Sequence, residues 1–299
     1  MNIPVGLVIW SRLVEKTFTY LDQVIAPFDS IWMPDHVQYG NIDVAEGWTL
    51  FAYALARYPD KIVGHDVLCN SFRNPALLAK MTATAQAISG GRVVLGLGAG
   101  WNEEEYRAYG YPFPSAKVRI EEMSEAIQLI RAMWTDSPAN FHGQHFQIEN
   151  IYCEPRPDPL PPIMLGTQGE KYGLRVVAEY GDWWNVLYKD LDSYRHKQNV
   201  LKEHCRDVGR DYDEIVQVVH IGVHIGATER DVRAYHQQPD ARKLGDNYIE
   251  GTPEQITETL LEIAKHGATR FSIHFIDVPK PDCTFLFAGS VLPHLESPL

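Results

Sequence analysis

The sequence predicts an α/β protein folded as a (β/α)8 TIM barrel, and three observations lead to this prediction. Eight short apolar runs alternate with segments in which apolar residues recur at helical spacing. The runs are apolar along their whole length, which is typical of parallel strands covered by helices. The chain has 299 residues, the usual size of one such domain, so we expect a single barrel over residues 1–299. A doubly wound open sheet is the competing arrangement.

Each apolar run is short enough for one strand and is bounded by polar or turn-forming residues. In chain order the predicted strands are IPVGLVIW (3–10), SIWMP (30–34), IVGHDVLC (62–69), RVVLGLGAG (92–100), PIMLG (162–166), WWNVL (183–187), VQVVHIGVHI (216–225) and RFSIHFI (270–276).

Three of the intervening segments carry clear helix signals. The first predicted apolar face consists of Leu77, Leu78, Met81, Ala85 and Ile88, in a helix that stops at Gly90. The second consists of Ile120, Met123, Ile127, Ile130 and Trp134. A third helix opens with Thr252 as N-cap, Pro253 at the first helical position and Gln255 as capping-box partner, and closes at Gly267.

Residues 135–162 form an irregular stretch rich in Pro and Asn between the fourth helix and the fifth strand. We interpret it as an insertion with a small hairpin around FHGQHFQI. Loops of this length inside a compact domain usually have a function, often that of a lid over a site. A second weakly patterned region, about 231–248, is another candidate lid.

Composition excludes several classes of protein. The net charge is −12 with the acids scattered along the chain, which argues against nucleic acid as the main partner. Four separated cysteines without a C-x-x-C pair suit reduced thiols. The N-terminus lacks the features of a signal peptide, and no run is long enough to span a bilayer. We therefore expect a soluble cytoplasmic protein whose partner is a small molecule.

In a parallel barrel the site lies at the carboxyl ends of the strands, so the residues delivered there are the candidates. The second strand ends in Asp35 and His36, Asp66 interrupts the third, and the sixth carries Asn185. For the Asp35–His36 pair the alternative is a capping role at the strand end.

The fourth strand is marked by alternating glycines at 96, 98 and 100. Their spacing does not match the dinucleotide fingerprint G-x-G-x-x-G, and they follow the fourth strand rather than the first. A strand face without side chains permits close approach of another backbone or of a flat ligand. The acids Glu103, Glu104 and Glu105 that follow are interpreted as a solvated helix start.

The turn LGTQGEK after the fifth strand is a candidate anion site, because amides at the start of a helix bind anions and Lys171 adds charge. An ordinary turn is the alternative. We predict no metal site: His142 and His145 lack supporting ligands, and His220, His224 and His274 are expected to line the core or the barrel mouth.

Several motifs occur together in a characteristic order: ISGGRVVLGLGAGWNEEEYRAYGYPFP, RIEEMSEAIQLIRAMW, FHGQHFQI and PPIMLGTQGEKYGLRVVAEYGDWWN. In this combination the chain resembles the bacterial luciferase-like monooxygenase superfamily, and within it the branch that uses the deazaflavin coenzyme F420. The resemblance extends from about residue 3 to residue 275. It implies a (β/α)8 barrel with an insertion before the fifth strand, and a homodimer.

The resemblance also implies site residues. His36 would act as a catalytic acid or base beside the reactive ring, with Asp35 orienting it or accepting a hydrogen bond from the cofactor. The third strand would carry a bulge with a non-prolyl cis peptide, here placed at Asp66–Val67. The implied cofactor-binding residues are Asp35, His36, Asp66, Val67, Cys69, Asn70, Gly98, Ala99, Gly100, Trp101, Asn102, Gly166, Thr167, Gln168 and Gly169.

Two departures from the family pattern bear on function. Thr167 and Gln168 stand where the phosphate loop of this branch usually has glycines. Trp101 stands where sugar-phosphate dehydrogenases of the branch have a catalytic Glu, which weakens the case for sugar-phosphate oxidation. Trp48, Trp101 and Trp184 are candidates for an apolar substrate pocket, with a core position as the alternative.

The function expected from this resemblance is hydride transfer between coenzyme F420 and a small organic substrate. Three alternatives remain open at this point. One is a reduced-FMN monooxygenase on the same fold, with FMN in place of F420. The second is a non-catalytic flavin-binding or interaction protein on the same barrel, and the third is a metal-dependent barrel hydrolase.

Overall fold

Eight parallel strands close into a barrel in the computed structural model, which describes residues 2–9, 14–238, 241 and 243–296. The strands are β1 Val5–Val8, β2 Ser30–Met33, β3 Ile62–His65, β4 Leu68–Cys69, β5 Val93–Gly98, β6 Ala139–His142, β7 Gln147–Ile151, β8 Ile163–Gly166, β9 Trp183–Leu187, β10 Val216–Ile225, β11 Tyr248–Gly251 and β12 Arg270–Phe275. The helices are α1 Val14–Val24, α2 Gly47–Arg57, α3 Pro75–Ser89, α4 Glu103–Ala108, α5 Ala116–Thr135, α6 Gly173–Tyr180, α7 Leu191–Val208, α8 Glu229–Tyr235, α9 Pro253–Lys265, α10 Asp282–Ser290 and α11 Leu292–Glu296.

The pairing of the strands confirms the predicted barrel and excludes the open sheet. β1 pairs with both β2 and β12, and β9 pairs with both β8 and β10, so the parallel ladder returns to its start. All eight predicted strands are present, although Trp10, the last residue predicted for the first, lies outside the described residues. Alternating helices cover the outer face, as a parallel barrel requires.

The third predicted strand is divided into β3 and β4, which flank a cis peptide bond between Asp66 and Val67. This confirms the bulge and the position expected for it. β3 pairs with β2 and β5, whereas β4 pairs with β5 alone. The division lies at the carboxyl end of the strand, at the edge of the barrel where the functional groups gather.

The barrel is filled by a layer of apolar side chains centred on Trp32. Its indole lies so close to β1 and β3 that a Cβ at Gly6 would meet Nε1 at 2.3 Å, and one at Gly64 would meet Cζ3 at 2.6 Å. The layer is completed by Val8, Val94, Met164 and Val218. A large side chain on one strand is therefore accommodated by glycines on its two neighbours, which is the alternation that close packing demands.

All three predicted helices are present, and α3 has Gly90 as its C-cap, as predicted. In α5 the side chains of Met123, Ile127, Ile130 and Trp134 are buried as expected. In α9 both hydrogen bonds of the Thr252–Gln255 capping box are present, and the helix ends at Lys265, two residues before Gly267.

The buried face predicted for α3 is wrong. Leu78 is buried, but Leu77 is 56% exposed and Ile88 is 81% exposed. The face turned inward carries Ala79 and Ala83 instead, together with Thr82 and Gln86. Small residues are found there because α3 packs closely against the neighbouring helix α5, where Trp134 Nε1 donates a hydrogen bond to the carbonyl of Ala79.

The insertion contains the expected hairpin, formed by the antiparallel strands β6 and β7. Its turn is fixed to α5 because the Glu125 carboxylate accepts hydrogen bonds from the amides of Gln144, His145 and Phe146. The lid role assigned to this segment stays a prediction. In the second weakly patterned region, sequence reasoning missed β11, which adds in parallel to β10; residues 239, 240 and 242 of that region lie outside the described residues. None of the helices within the described residues has the length and apolar character needed to cross a membrane.

Gly96 provides a test of how closely the barrel is packed. A Cβ at this position would lie 1.8 Å from the carbonyl oxygen of His65, a backbone atom that cannot turn away. We expect Gly96→Ala to destabilise the protein by about 1–3 kcal/mol or more, because β3 and β5 must move apart. The free energy of unfolding, measured in urea, gives the change.

Gly289→Ala is the matched control for this substitution. Gly289 lies in α10, and nothing lies within 4 Å of a Cβ built there. Alanine at an exposed helical position should leave stability unchanged or raise it by up to about 1 kcal/mol. An equal loss of stability in both variants would contradict the close approach of β3 to β5.

Candidate active site

A cavity of about 500 Å³ opens at the carboxyl ends of the barrel strands. It is lined by every residue predicted for the site except Asn70 and Asn102. Asn70 is buried at the start of a short 3-10 helix, and Asn102 is the N-cap of α4. Asn185, a candidate from the sixth strand, and His220, expected at the core or the barrel mouth, also line the cavity. The lining further includes Glu105, Arg119 and Leu187, which were not predicted for the site.

His36 is held in the cavity wall by a buried carboxylate. Glu105 approaches its Nδ1 with Oε1 at 3.0 Å and Oε2 at 3.2 Å, and also accepts hydrogen bonds from the amides of Val37 and Gln38. Both side chains are almost fully buried. A carboxylate at Nδ1 favours the tautomer with its proton on that nitrogen, which makes Nε2 the proton-accepting nitrogen.

The interpretation of Glu105 as part of a solvated helix start is therefore wrong. Glu103 and Glu104 are exposed, but Glu105 is only 3% exposed. Three consecutive glutamates give no indication in the sequence of which side chain faces inward. The orienting role given to Asp35 is corrected as well, because the carboxylate found at Nδ1 of His36 is that of Glu105.

Asp35 is engaged by a buried arginine. Arg73 donates from Nη1 to Oδ2 at 2.7 Å and from Nη2 to Oδ1 at 2.9 Å, and the amide of Cys69 also donates to Oδ2. Arg73 forms a further ion pair with Glu46, the N-cap of α2. Burial alone would raise the pKa of Glu46, but hydrogen bonds from Thr49 and Trp48 and the charge of Arg73 lower it to about 2. This ion-pair cluster ties the end of β2 to the segment after β4.

Asp66 lies at the centre of a buried polar network. Its Oδ2 accepts hydrogen bonds from Asn185 Nδ2 at 3.1 Å and Ser272 Oγ at 2.9 Å, and lies 2.8 Å from His220 Nδ1. Burial tends to raise the pKa of Asp66, but the charge of His220 and these hydrogen bonds outweigh it and lower the pKa. Asp66 is therefore an ionised carboxylate inside the barrel.

Val67 forms part of the cavity floor. Its Cγ2 would be 2.7 Å from a Cβ at Gly98, and both of its methyl groups would be 2.9 Å from a Cβ at Gly166. Glycines at these two positions thus make room for Val67, which the bulge turns toward the cavity. The close approach predicted for the glycines of the fourth strand is found at Gly96 with the β3 backbone and at Gly98 with this side chain.

Cys69 is a buried thiol within the cavity wall. Its Sγ lies 3.0 Å from the hydroxyl of Tyr106. Burial raises the pKa of this thiol to about 11, so it is protonated at neutral pH and is not a nucleophile. Gly100, with φ of +77°, passes so close to both groups that any side chain there would displace them.

The loop 166–169 lines the cavity as expected, and its two central residues are hydrogen-bonded to β9. Gln168 Nε2 donates to the carbonyl of Leu187 at 3.0 Å, and the carbonyl of Thr167 accepts a hydrogen bond from Trp184 Nε1. Lys171 lies over the Tyr172 ring and is not part of the lining.

The cation found at the cavity is Arg119 on α5, which sequence reasoning missed. Its guanidinium lies 4.0 Å above the Phe113 ring, and the residue is only 8% exposed. Within the described residues, Arg119 Nε is buried without a hydrogen-bond partner. A buried donor of this kind suits an anionic group of a ligand.

The three tryptophans proposed for a substrate pocket have different positions. Trp101 lines the cavity with its side chain largely exposed, and its ring lies 6.0 Å from that of His36. Trp184 is fully buried in the core. Trp48 stacks on His65 and packs at a tilt against Phe51, outside the cavity. Only Trp101 of the three lines the cavity.

Comparison with known proteins finds sequence similarity to F420-dependent dehydrogenases and to monooxygenases. The family model described as luciferase-like monooxygenase matches residues 26–245. The F420-dependent glucose-6-phosphate dehydrogenase of Amycolatopsis mediterranei is 33% identical over 159 residues, which are 51% of this chain and 45% of that protein. The pyrimidine monooxygenase RutA of Acinetobacter baylyi is 31% identical over 177 residues, which are 57% of this chain and 47% of that protein. The matches thus span about half the length of these relatives.

Solved structures show the same fold. An F420-dependent secondary alcohol dehydrogenase in complex with an F420–acetone adduct superposes with a TM-score of 0.85 at 21% identity, covering 99% of this chain and all of the other. A riboflavin lyase with modified FMN and riboflavin gives a TM-score of 0.84 at 14% identity, covering 99% of this chain and 91% of the other. At these identities the likeness establishes the barrel fold alone.

The role of Glu105 can be tested by its removal. We expect Glu105→Ala to lower the free energy of unfolding by about 1–3 kcal/mol, because the His36 imidazole and two amides lose their buried acceptor. Glu104→Ala is the control: Glu104 is exposed and accepts a hydrogen bond from the Gln38 side chain at 3.3 Å, and its removal should change stability by less than about 0.5 kcal/mol. Urea denaturation measures both; equal losses would contradict the structural role of Glu105.

His274 makes stability depend on pH. Burial, with the nearby charge of His220, lowers the pKa of His274 to about 3, whereas in the unfolded chain it is about 6.5. As pH falls, His274 therefore takes up a proton in the unfolded state before it does so in the folded state. The stability that the neutral His274 contributes is complete above pH 6.5 and is lost as pH falls toward 3. We expect the free energy of unfolding to decrease as pH is lowered through this window. We expect His274→Gln to make this dependence on pH less steep. A variant with the wild-type slope would contradict the burial of a neutral imidazole.

Proposed function

The chain belongs to the luciferase-like monooxygenase family, and we propose that it acts there as an oxidoreductase that transfers a hydride between coenzyme F420 and a small organic substrate. The observation that carries this proposal is the pairing of two features at one cavity. Val67 forms a raised apolar floor between Gly98 and Gly166, and His36, fixed by Glu105, stands in the wall. A flat ring bound on this floor can thus lie next to His36, a side chain that can accept or donate a proton.

The residues of the cavity fit a deazaflavin. Val67 offers an apolar surface for one face of a flat ring, and glycines at 98 and 166 keep the flanking strands free of side chains. Arg119, whose buried Nε has no partner within the described part of the chain, suits the anionic tail of the cofactor. Gly169 adds to this fit, because a Cβ there would meet only the Gly173 amide, at 3.8 Å, which leaves the loop accessible to a phosphate.

When bound, the deazaflavin supplies the hydride acceptor or donor. The work of the protein is then to orient the reactants and to move one proton. Glu105 holds His36 with its proton on Nδ1, so that Nε2 accepts a proton from a substrate hydroxyl during oxidation, or returns it during reduction. Glu105 stabilises the imidazolium formed in this step, since its carboxylate is buried against the ring.

Trp101 and Leu187 give the substrate side of the cavity its apolar character. Position 101, where sugar-phosphate dehydrogenases of the F420 branch have a catalytic Glu, carries an indole instead of a carboxylate. We therefore favour a small alcohol or carbonyl compound over a sugar phosphate as substrate. The likeness to F420-dependent glucose-6-phosphate dehydrogenases supports the cofactor assignment rather than the sugar.

A second candidate function is oxygen activation with reduced FMN. The similarity to pyrimidine monooxygenases favours it, because these relatives match about as well as the F420-dependent ones. The same floor and the same His36 would serve an isoalloxazine ring. The choice between the two functions thus depends on which cofactor binds.

Assembly and location are also part of the proposal. The homodimer implied by the family resemblance would cover apolar side chains that the monomer leaves exposed on α2 and α3, among them Tyr53, Leu77 and Ile88. A cytoplasmic location is supported by the four cysteines, which are all free and buried.

Cofactor preference is the first test. We expect fluorescence titration of the purified protein to show micromolar or tighter binding of F420 and weaker binding of FMN. Arg119→Ala should weaken F420 binding by about tenfold or more, because a charge-assisted hydrogen bond to the anionic tail is lost. Preferential binding of FMN would contradict the F420 assignment and support the monooxygenase alternative.

The role of His36 is tested by turnover. With a panel of small alcohols and carbonyl compounds, followed through the absorbance of F420, we expect His36→Ala to reduce turnover by about 10²- to 10⁴-fold and to leave F420 affinity nearly unchanged. His145→Ala is the control, since this residue lies in the hairpin turn outside the cavity. Unchanged turnover in His36→Ala with full cofactor binding would favour the non-catalytic alternative.

A further inference from the structure

A cluster of two histidines and one glutamate lies beyond the carboxyl end of the barrel, outside the cavity of the proposed active site. His224 is in β10, Glu250 is in β11, and His236 is the residue that ends α8. One ligand atom from each of the three side chains lies within 4.8 Å of the other two. None of the three side chains lines the cavity that contains His36.

We propose that these three side chains form a binding site for a divalent transition-metal ion of the Zn²⁺ type. Two imidazoles and one carboxylate are a ligand set that Zn²⁺ uses in proteins, with water or another small ligand in the fourth position. The inference is independent of the function proposed above, because it rests on residues that have no part in hydride transfer.

One of the two ligand–ligand distances matches tetrahedral coordination, the second is that of a hydrogen bond, and the two imidazole nitrogens lie within 4.8 Å of each other. His224 Nδ1 lies 3.4 Å from Glu250 Oε2, and His236 Nε2 lies 2.7 Å from the same oxygen. Ligand atoms bound tetrahedrally at about 2.0–2.1 Å from zinc are about 3.3 Å apart. The 2.7 Å contact of His236 would have to lengthen on metal binding, and His236, with its side chain 43% exposed, is the ligand that would move.

Two of the ligands are placed by the sheet itself. His224 and Glu250 are direct register partners in the parallel pairing of β10 with β11, so their side chains leave the sheet on the same face. The side chain of His224 is only 4% exposed, and its ring packs 4.3 Å from that of Tyr235. This ligand is therefore rigid before any ion binds, which lowers the entropy cost of binding.

The third ligand and the access route come from the surface. The side chains of His236 and Glu250 are 43% and 42% exposed. An ion can reach them from solvent, and the fourth coordination position would face outward. Metal binding would tie the end of α8 to the edge strand β11, two elements that the barrel pairing alone does not connect.

Among the described residues, no other group of three His, Cys, Asp or Glu side chains has its ligand atoms this close together. His196 Nε2 lies 3.1 Å from Glu170 Oε1, but Lys197 Nζ binds the same oxygen. The ammonium group occupies the place that a cation would need. His196 is thus a matched control: a histidine of comparable exposure, in contact with a glutamate, in a setting that disfavours a metal.

The test is calorimetric titration of the chelator-treated protein with ZnCl2. We expect one Zn²⁺ per chain with a dissociation constant in the micromolar range or below. His236→Ala and Glu250→Gln should each weaken binding by more than the roughly 10- to 100-fold that loss of an outer-sphere partner costs, because a direct ligand is removed. His196→Ala should bind Zn²⁺ as the wild type does.

A second readout identifies the coordination. Co²⁺ in place of Zn²⁺ should give the intense visible absorption of a tetrahedral site in the wild type and His196→Ala, and lose it in His236→Ala and Glu250→Gln. Both informative substitutions are at exposed side chains, so the variants should fold, which thermal unfolding without metal verifies. Wild-type affinity in His236→Ala and Glu250→Gln, or no stoichiometric binding by the wild type, would overturn the proposal.

Discussion

The buried carboxylate of Asp66 is the group on which the interior of the barrel depends. Its Oδ2 atom is contacted by the side chains of Asn185, His220 and Ser272. These residues lie on β9, β10 and β12, three strands on the opposite side of the barrel from β3. A buried charge is tolerated only when its hydrogen bonds are made, so these strands must keep their register for Asp66 to remain satisfied. The apolar layer around Trp32 fills the barrel, and the Asp66 network fixes the strand ends relative to one another.

The same network explains how polar chemistry can lie next to an apolar floor. Asp66 is turned into the barrel and its charge is compensated there, while the next residue, Val67, meets the glycines on either side of it. The bulge thus lets Asp66 form the polar network inside the barrel while its neighbour Val67 forms the apolar floor of the cavity. The ion pairs of Asp35 with Arg73 and of Glu46 with Arg73 fix the surrounding loops, and Glu105 fixes the imidazole of His36. A preorganised cavity of this kind is what orientation of two reactants requires.

The long strand β10 connects the proposed active site with the proposed metal site. It has ten residues, against four to six in the other strands that span the barrel as single segments. His220 lies beside Asp66 in the cavity, and His224, four residues further along, lies beyond the barrel where β11 adds to the sheet. One strand therefore serves both sites, and its extension is stabilised by the pairing with β11.

The sequence by itself determined the eight barrel strands, three of the helices and the order in which they occur. The eight apolar runs, the cap residues of α9 and the hairpin were readable, because strand length, helix periodicity and capping are local properties. The position of the bulge at Asp66–Val67 came from the family resemblance. The family motifs located most of the cavity lining, since residues just after parallel strands must meet at one end of a barrel.

Only the tertiary structure decided which side chains act together. Glu105 is identical in type to its two neighbours and 69 residues from His36, and Arg73 is 38 residues from Asp35. The three proposed metal ligands are separated by 12 and 14 residues and lie on three elements, one of which, β11, had no recognisable pattern. The exposure of Leu77 and Ile88 on α3 could not be predicted from the sequence either. Contacts between distant segments are set by packing across elements, and local periodicity carries no information about them.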